Sequence, residues 1–374
     1  MPHDVSISIG EGADDHIHSE PNLLIDPIRL RAGLVPAEIM PQATLVESLD
    51  IRLIIADGDF DGLVAAAALR HAWPEADVIF SHPAEIRSGF RDDKINKHTA
   101  LCDLPFHPNC GLYIDHHATN RPNLEQEKEF EDGGGHIHWR DADSAARVAY
   151  DLFSPIFDLS NLEPIMDPVD RLDGGRISVE EFLSDEPVIW LSRTVTSSDQ
   201  EYTLSLLESL VAGKPVSEIV KEEIVANRIA EMRLQMSGIR GVLATNSYLV
   251  DRLAVCELQE TGLRTNGYLV TAHYGEDCDA CLIIHGSKDG EFGKVGDHPL
   301  SASFYSNSFL HTQGGVFDLS SLATKFDPDG GGHRNACGCR IMPLDAGENV
   351  ESREVTTEDI ERNLKSWLNE WKHR

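Results

Sequence analysis

The stretch Ile51-Arg52-Leu53-Ile54-Ile55-Ala56-Asp57-Gly58-Asp59-Phe60-Asp61-Gly62 decides the fold. Its first half is an apolar, β-branched run of strand length. Its second half sets carboxylates at 57, 59 and 61 in a turn with two glycines. Directly behind it, Leu63 to Leu69 is apolar and Ala-rich with almost no polar face. A helix that is apolar all round is a buried one, so the expected order is strand, acidic turn, buried helix. Further strand candidates follow at Asp77–Phe80, Ala100–Cys102 and Gly111–Ile114, and Ala142 to Phe153 reads as a helix. Strand–turn–helix order repeated in this way predicts an α/β domain, a parallel sheet with helices on its faces. Ligands of such sheets bind beyond the carboxyl ends of the strands, which is where the acidic turn falls.

From about Tyr202 to Gly238 the pattern turns helical. Val220, Ile224, Val225, Ile229, Met232 and Met236 line one face and predict a helical connector. Beyond it lie strand candidates at Leu253–Leu258, Tyr268–Tyr274, Ala280–His285 and Ser301–Tyr305, then a helix over Asp318–Phe326 and a Gly-rich turn. The carboxyl-terminal stretch carries Ile360, Leu364, Trp367, Leu368 and Trp371 at amphipathic spacing. A chain of 374 residues accommodates two domains. The expected division is a partly disordered tail over 1–45, a parallel-sheet domain over 46–200, the connector over 201–240, and a smaller mixed α/β domain with a terminal helix over 241–374.

Charge is the strongest compositional signal: 63 acids face 32 Lys and Arg, a formal net charge of -31. A protein that coats long nucleic acid needs a basic stripe to neutralise phosphates, and none is evident. Acidity with Arg favoured over Lys suits a salt-adapted organism; simple solubility is the plainer account. No run of about 18 apolar residues is present, and Met1 to Glu20 has neither the basic start nor the apolar segment of an export signal. The expectation is a soluble, cytoplasmic protein. Its seven cysteines then read as free thiols. Cys278 with Cys281 and Cys337 with Cys339 have zinc-like spacing, but no knuckle-like module surrounds either pair.

The acidic turn carries the first candidate chemistry. Alternate carboxylates beside so much apolar sequence repel one another unless a cation holds them. Hard divalent ions such as Mg²⁺ and Mn²⁺ favour oxygen ligands of this kind; a solvated turn that caps the helix is the alternative. Asp115-His116-His117 follows another strand, and imidazole with carboxylate is a usual ligand mix for transition metals.

These segments resemble the motifs of the DHH family of phosphoesterases. Asp57 to Gly62 is similar to the Asp-x-Asp-x-Asp-Gly form of RecJ-type nucleases, and Asp115-His116-His117 is the namesake motif. Asp103 matches the isolated Asp of the second motif. Asp167 to Asp173 supplies candidates for the fourth, Asp170 first and Asp173 second. Gly330-Gly331-Gly332-His333-Arg334-Asn335-Ala336-Cys337-Gly338 is similar to the glycine-rich signature of the DHH-associated domain. The resemblance implies a DHH catalytic domain and a DHH-associated substrate-binding domain. It implies that Asp59 and Asp61 each ligate one of two ions, Mn²⁺ or Mg²⁺, that Asp103 bridges them, and that His116 and Asp170 complete the shell of the second ion. Asp57 joins the shell of the first ion or supports it from behind. His117 and His333 face phosphate, with Gly331, Gly332 and Arg334 in the gripping loop. Two departures stand out: Ile55 occupies the place of the pyrophosphatase-like branch's His, and Tyr305 that of a substrate-gripping Arg.

The expected function is hydrolysis of phosphodiester bonds in dinucleotides or short oligonucleotides, by two ions that activate water and clamp the phosphoryl oxygens. The alternatives are an exopolyphosphatase or other phosphoanhydride hydrolase, a RecJ-like single-strand exonuclease, and a non-catalytic nucleotide-binding module. The expected partner is a short phosphate-bearing substrate, not a membrane or a long nucleic acid; a homodimer is left open.

Overall fold

The computed structural model describes residues 40–290 and 299–374. Most of the expected amino-terminal tail, residues 1–39, therefore lies outside the described residues, which open with the helix Met40–Ser48. The first sheet holds β1 (Leu53–Asp57), β2 (Asp77–Ser81), β3 (Thr99–Cys102), β4 (Leu112–Asp115) and β5 (His136–Trp139). All pairs are parallel, in the order β2-β1-β3-β4-β5. Strands β3 and β4 are buried throughout, as strands covered on both faces must be. Strand order reverses between β1 and β3. At such a switch point the connections diverge to opposite faces and leave a crevice beyond the strand ends.

Helix α1 (Phe60–Ala72) follows β1 after the acidic turn. Its first turn is fixed by Asp59, whose carboxylate accepts the Gly62 N–H at 2.9 Å. Its alanines let it lie close to the sheet, to helix α2 (Ala145–Phe153) and to the helix Gln200–Val211, and nearly every residue is buried. The approach is closest at Gly62, where a Cβ would lie 2.2 Å from the Asp57 carbonyl oxygen. Helix α3 (Glu163–Asp173) packs on α2.

Helix α4 (Glu223–Asn246) joins the two lobes. Val225 and Ile229 are buried in the first core, with Met232 and Met236 packed against it, while Ile239 and Leu243 enter the second. Their steps of four and three residues keep one stripe inward along the whole helix. Ile224 falls off that stripe and is exposed.

The second sheet comprises β6 (Ser247–Val250), β7 (Leu253–Glu257), β8 (Ala280–His285), β9 (Ser301–Ser306), β10 (Gly331–His333) and β11 (Ala336–Arg340). Its order is β10-β11-β9-β8-β7-β6, antiparallel except between β7 and β8. One face is covered through Ile360, Leu364, Trp367 and Trp371, the amphipathic stripe of the terminal helix Thr357–Lys372. Sequence reasoning anticipates none of β5, β6, β10 and β11, the last two lying where a Gly-rich turn was expected. It also assigns a strand to Tyr268–Tyr274, which is instead helix α5 (Gly267–Tyr274). The side chain of Asn266 accepts the Leu269 N–H at 3.1 Å, and the Thr271 hydroxyl donates to the Gly267 carbonyl at 2.9 Å. An N-cap and a side-chain bond into the first turn override the β propensity of the apolar run. The helix expected over Asp318–Phe326 shrinks to Ser320–Ala323, because Asp327 turns to bind Arg340 on β11. Among the described residues no helix is long and apolar enough to cross a membrane, and all seven cysteines are free and buried.

Two glycine substitutions test this packing. Gly62→Ala should destabilise the protein by roughly 1–3 kcal/mol or more, because backbone rather than a flexible side chain meets the new methyl group. Gly238, on α4, has open space around it: nothing lies within 4 Å of where a Cβ would sit. Gly238→Ala should stabilise by about 0.4–1 kcal/mol. Denaturant melts of the two variants check both signs.

Candidate metal centre

The crevice beyond β1, β3 and β4 gathers the acids. Asp57 is the last residue of β1, and Asp59 and Asp61 line the turn into α1. Asp103 follows β3 in the left-handed region at φ 59°, with its N–H bonded to the Ile114 carbonyl at 2.9 Å. Such a conformation costs a non-glycine residue about 1–3 kcal/mol and is typical of functional positions. Asp115 ends β4, so His116 and His117 emerge beside Asp103. Asp173 reaches the same place from the last residue of α3.

Three overlapping sets result, each with ligand atoms within 4.8 Å of one another: Asp57, Asp59 and Asp103; Asp61, His116 and Asp173; and Asp103 with Asp115, His116 and His117. His116 Nε2 stands 3.2 Å from Asp173, 3.7 Å from Asp61 and 3.8 Å from Asp103. Asp103 belongs to two of the sets and links them.

The two histidines are oriented by what their Nδ1 atoms meet. The Nδ1–H of His116 donates to the Ala142 carbonyl at 3.0 Å, which leaves Nε2 as the lone-pair atom among the acids. The Nδ1–H of His117 donates to Asp115 at 2.9 Å, leaving its Nε2 free of that bond, and His117 lines the cleft. Asp115 is a hub, not a free ligand: it also accepts the His116 N–H at 2.8 Å and the Tyr113 hydroxyl at 2.7 Å. Burial alone would raise its pKa, but His117, His116 and the Tyr113 hydroxyl together outweigh burial and hold Asp115 below the usual carboxylate range.

The remaining acids behave differently. Burial first, then neighbouring carboxylates, push Asp57, Asp61 and Asp103 well above the usual range. Asp61 is raised even though its two oxygens accept the first amides of α2, Ala145 and Ala146, each at 2.7 Å. Burial pulls His116 down, yet Asp173, Asp61 and Asp115 outweigh it and bring the imidazole up to about 9. The cluster thus recruits positive charge wherever it can. Two of its buried atoms, Asp103 Oδ1 and His116 Nε2, make no well-formed hydrogen bond among the described residues, although Asp173 stands 3.2 Å from the imidazole and His117 Nδ1 3.5 Å from the carboxylate. Orphaned acceptors among crowded carboxylates, with one neutral-capable imidazole, form a donor set that fits divalent cations.

A cleft of about 670 Å³ opens from the acids toward the second sheet, lined by Asp57, Asp59, His117 and Asp173 on one side and by Arg264, Ser303, Tyr305 and Gly331 on the other. The Gly-rich loop meets the first lobe directly. The Thr119 hydroxyl donates to the Gly332 carbonyl and accepts its N–H, both at 2.9 Å. Gly331 and Gly332 have φ of 156° and 133°, and a Cβ at Gly331 would come within 3.0 Å of the Arg87 guanidinium. Burial lowers the pKa of His333; the residue follows Gly331 and Gly332 on β10 but is not among those that line the cleft. Of the cleft arginines, Arg91 is paired with Glu85 at 2.7 Å and Arg340 with Asp327 and Asp329. Arg87 binds the neutral side chain of Asn120 at 2.8 Å. Arg264 has no ion-pair or hydrogen-bond partner among the described residues.

Two expected site residues lie elsewhere. Asp170 accepts from Ser144 at 2.6 Å and from Arg147 at 2.9 and 2.7 Å, so its charge is already balanced one turn away from the cluster. Asp173, the second candidate, is the acid that the structure brings to His116. Arg334 is exposed and does not line the cleft. Thr119 and Arg264 escaped the sequence reading as site residues, and Arg87 reads there, with Arg91, as either a phosphate contact or a surface residue. Arg87 carried a weak signal as one of two arginines beside a Gly-Phe turn; the other two carried none.

No protein-family model matches the chain, and no curated protein matches it in sequence. Solved structures do match in fold. A pGpG-specific phosphodiesterase from Vibrio cholerae superposes with a TM-score of 0.55 at 20% identity, over 86% of this chain and 98% of that one. A DHH-domain protein described as a member of a family of ribosomal proteins gives 0.53 at 14% identity, over 91% of each chain. The chain therefore has the two-lobed fold of DHH proteins.

The choice between the two acids of α3 is open to direct measurement. Asp173→Asn should lower bound Mn²⁺ by one ion per chain, whereas Asp170→Asn should keep both ions and lose stability through the stranded Arg147. Metal analysis of the two purified variants after equilibration with Mn²⁺ checks it. Loss of an ion from the Asp170 variant alone would restore Asp170 as the ligand.

Proposed function

We propose that this chain is a metal-dependent phosphodiesterase that cleaves dinucleotides or short oligonucleotides in the cleft between its lobes. The observation that carries the reading is the pair of orphaned buried atoms, Asp103 Oδ1 and His116 Nε2, 3.8 Å apart among carboxylates that open onto the cleft. Asp57, Asp59 and Asp103 would hold one divalent ion, Mn²⁺ or Mg²⁺, and Asp61, His116 and Asp173 the other, with Asp103 shared. Such a pair supplies Lewis-acid activation of water and neutralises charge on the phosphoryl oxygens. The chain's own groups do the rest. His117, with Nδ1 pinned by Asp115, offers Nε2 to a phosphoryl oxygen or to the leaving oxygen as a proton donor. The Asp115 carboxylate accepts the His117 Nδ1–H and so fixes the orientation of the ring. The Gly331–Gly332 backbone allows a phosphate close approach, with His333 beside it.

Substrate length follows from space and charge. The cleft volume lies within the ~300–1,000 Å³ of small-molecule sites. Its uncompensated cations are Arg87 and Arg264, enough for a few phosphates; a net charge of -31 repels further phosphates outside it. The V. cholerae protein of like fold, a pGpG-specific phosphodiesterase, is in keeping with a dinucleotide substrate.

Turnover should vanish on exhaustive chelation and return with Mn²⁺ or Mg²⁺, and the rate should fall from dinucleotide to about 20-mer, a range spanning many phosphate contacts. Faster cleavage of the 20-mer with strong salt dependence would replace this reading with a RecJ-like one. Turnover of polyphosphate without any of dinucleotide would replace it with a phosphoanhydride hydrolase. His117→Ala should reduce kcat by about 10²–10⁴, the usual range for loss of a general acid, while both ions stay bound. Loss of an ion in that variant would make His117 a ligand instead.

A further inference from the structure

Asp173, which the site needs at one fixed point, sits where a helix is least able to hold it. It is the final residue of α3, and the last four carbonyls of any helix lack intrahelical partners. One of them, the Leu172 carbonyl, receives a hydrogen bond from across the lobe boundary: the hydroxyl of Tyr268, on α5 of the second lobe, donates to it at 2.6 Å. The Tyr268 ring is itself fixed from both lobes. It stacks on Phe182 with centroids 4.9 Å apart at 29°, and Phe309 closes the cluster at 5.5 Å from Tyr268 and 5.9 Å from Phe182. The guanidinium of Arg193 covers Phe182 at 4.5 Å and donates to the Phe182 carbonyl. Gly175, in the left-handed region at φ 68°, seats against Ser308 of the second lobe just beyond the helix end.

We infer that Tyr268 is a positioning residue through which the second lobe sets the place of Asp173, so that closure of the lobes and binding of one of the two ions are coupled. This rests on the metal reading above and goes beyond it. The other lobe contact is different in kind. The Thr119–Gly332 pair lies two residues after His117 and grips the loop, not a carboxylate. The two latches therefore separate: Tyr268 acts on the ion held by Asp61, His116 and Asp173, and Thr119 acts on how the Gly-rich loop meets substrate.

The test is a Mn²⁺ titration of the full chain, followed by calorimetry and by the electron paramagnetic resonance of free Mn²⁺. Tyr268→Phe keeps the ring stack and removes the hydroxyl. It should weaken one ion about 10- to 100-fold, the usual effect of losing an outer partner of a metal ligand, and leave the other unchanged. Excess Mn²⁺ should restore its kcat with KM unaltered, which a substrate-contact role would not allow. Thr119→Val should bind both ions as the wild type does and show a raised KM. If the wild type binds two ions and Tyr268→Phe binds them equally well, the coupling is refuted while the metal centre stands. If the wild type binds no Mn²⁺, both are refuted.

Discussion

The structure turns on one electrostatic demand: several carboxylates are held together at the dry end of a parallel sheet. Asp61, Asp103 and His116 are almost fully enclosed, and Asp57, Asp59 and Asp173 crowd them from the cleft side. Without compensation, like charges at this distance in a poorly hydrated pocket are costly. Many nearby features supply partial compensation. The first amides of α2 point at Asp61, so the positive end of a helix meets a buried acid. Asp103 adopts a left-handed backbone that keeps its side chain in the crevice. Gly62 removes the side chain that would separate α1 from the end of β1. None of these neutralises the cluster, and the same acids raise the pKa of His116 in their midst. The protein has accepted strain and repulsion at one place, and the ions of the proposed reaction are what would balance them.

Adjacent side chains of the same type acquire opposite tasks from their second ring nitrogen. His116 faces inward because a backbone carbonyl, a neutral acceptor, holds its Nδ1–H; the imidazole is then free to be a neutral ligand. His117 is held instead by a carboxylate, which fixes the ring and leaves Nε2 for the cleft that the residue lines. Asp115 gives both rings their registry, since it binds the His116 amide, the His117 ring and the Tyr113 hydroxyl together. Its burial is tolerable because every oxygen is engaged.

Much of this was legible in sequence because its physics is local. Three acids between an apolar strand and an all-apolar helix can hardly be placed anywhere but at the carboxyl edge of a sheet, and Asp115 to His117 repeat the logic on β4. The terminal amphipathic helix and the inward stripe of α4 were legible by the same periodicity, whereas Tyr202, Leu206, Leu210 and Ile219, expected in a connector, belong to the first core. What was not legible depends on partners distant in sequence. Asp170 and Asp173 are equivalent by spacing; Arg147, on another helix, takes Asp170 out of the site and leaves Asp173. Tyr268–Tyr274 has the composition of a strand, and its helical state follows from Asn266 and the first-turn bond of Thr271. The contacts Thr119–Gly332 and Tyr268–Leu172 span 213 and 96 residues of chain, and no pattern within either segment announces them.

The acid excess gives the few unpaired cations meaning. In a chain with about two acids for each Lys or Arg, a guanidinium meets carboxylates by default. Arg147, Arg171, Arg252, Arg340 and Arg353 are each engaged by carboxylates, even where partly exposed. Arg87 and Arg264 are exceptions that line the cleft; Arg121 and Arg193, which lie over aromatic rings, and the exposed Arg334 also lack a carboxylate partner among the described residues but lie outside it. Arg87 is held by an amide oxygen that orients it without cancelling its charge. A guanidinium kept free in this way retains its planar fork for a phosphate, which a carboxylate partner would otherwise occupy. On the proposed reading, specificity would arise from contrast rather than from total charge: the cleft would offer donors and cation sites, the remaining surface repulsion, and a phosphate chain would gain only from the part of itself that fits inside.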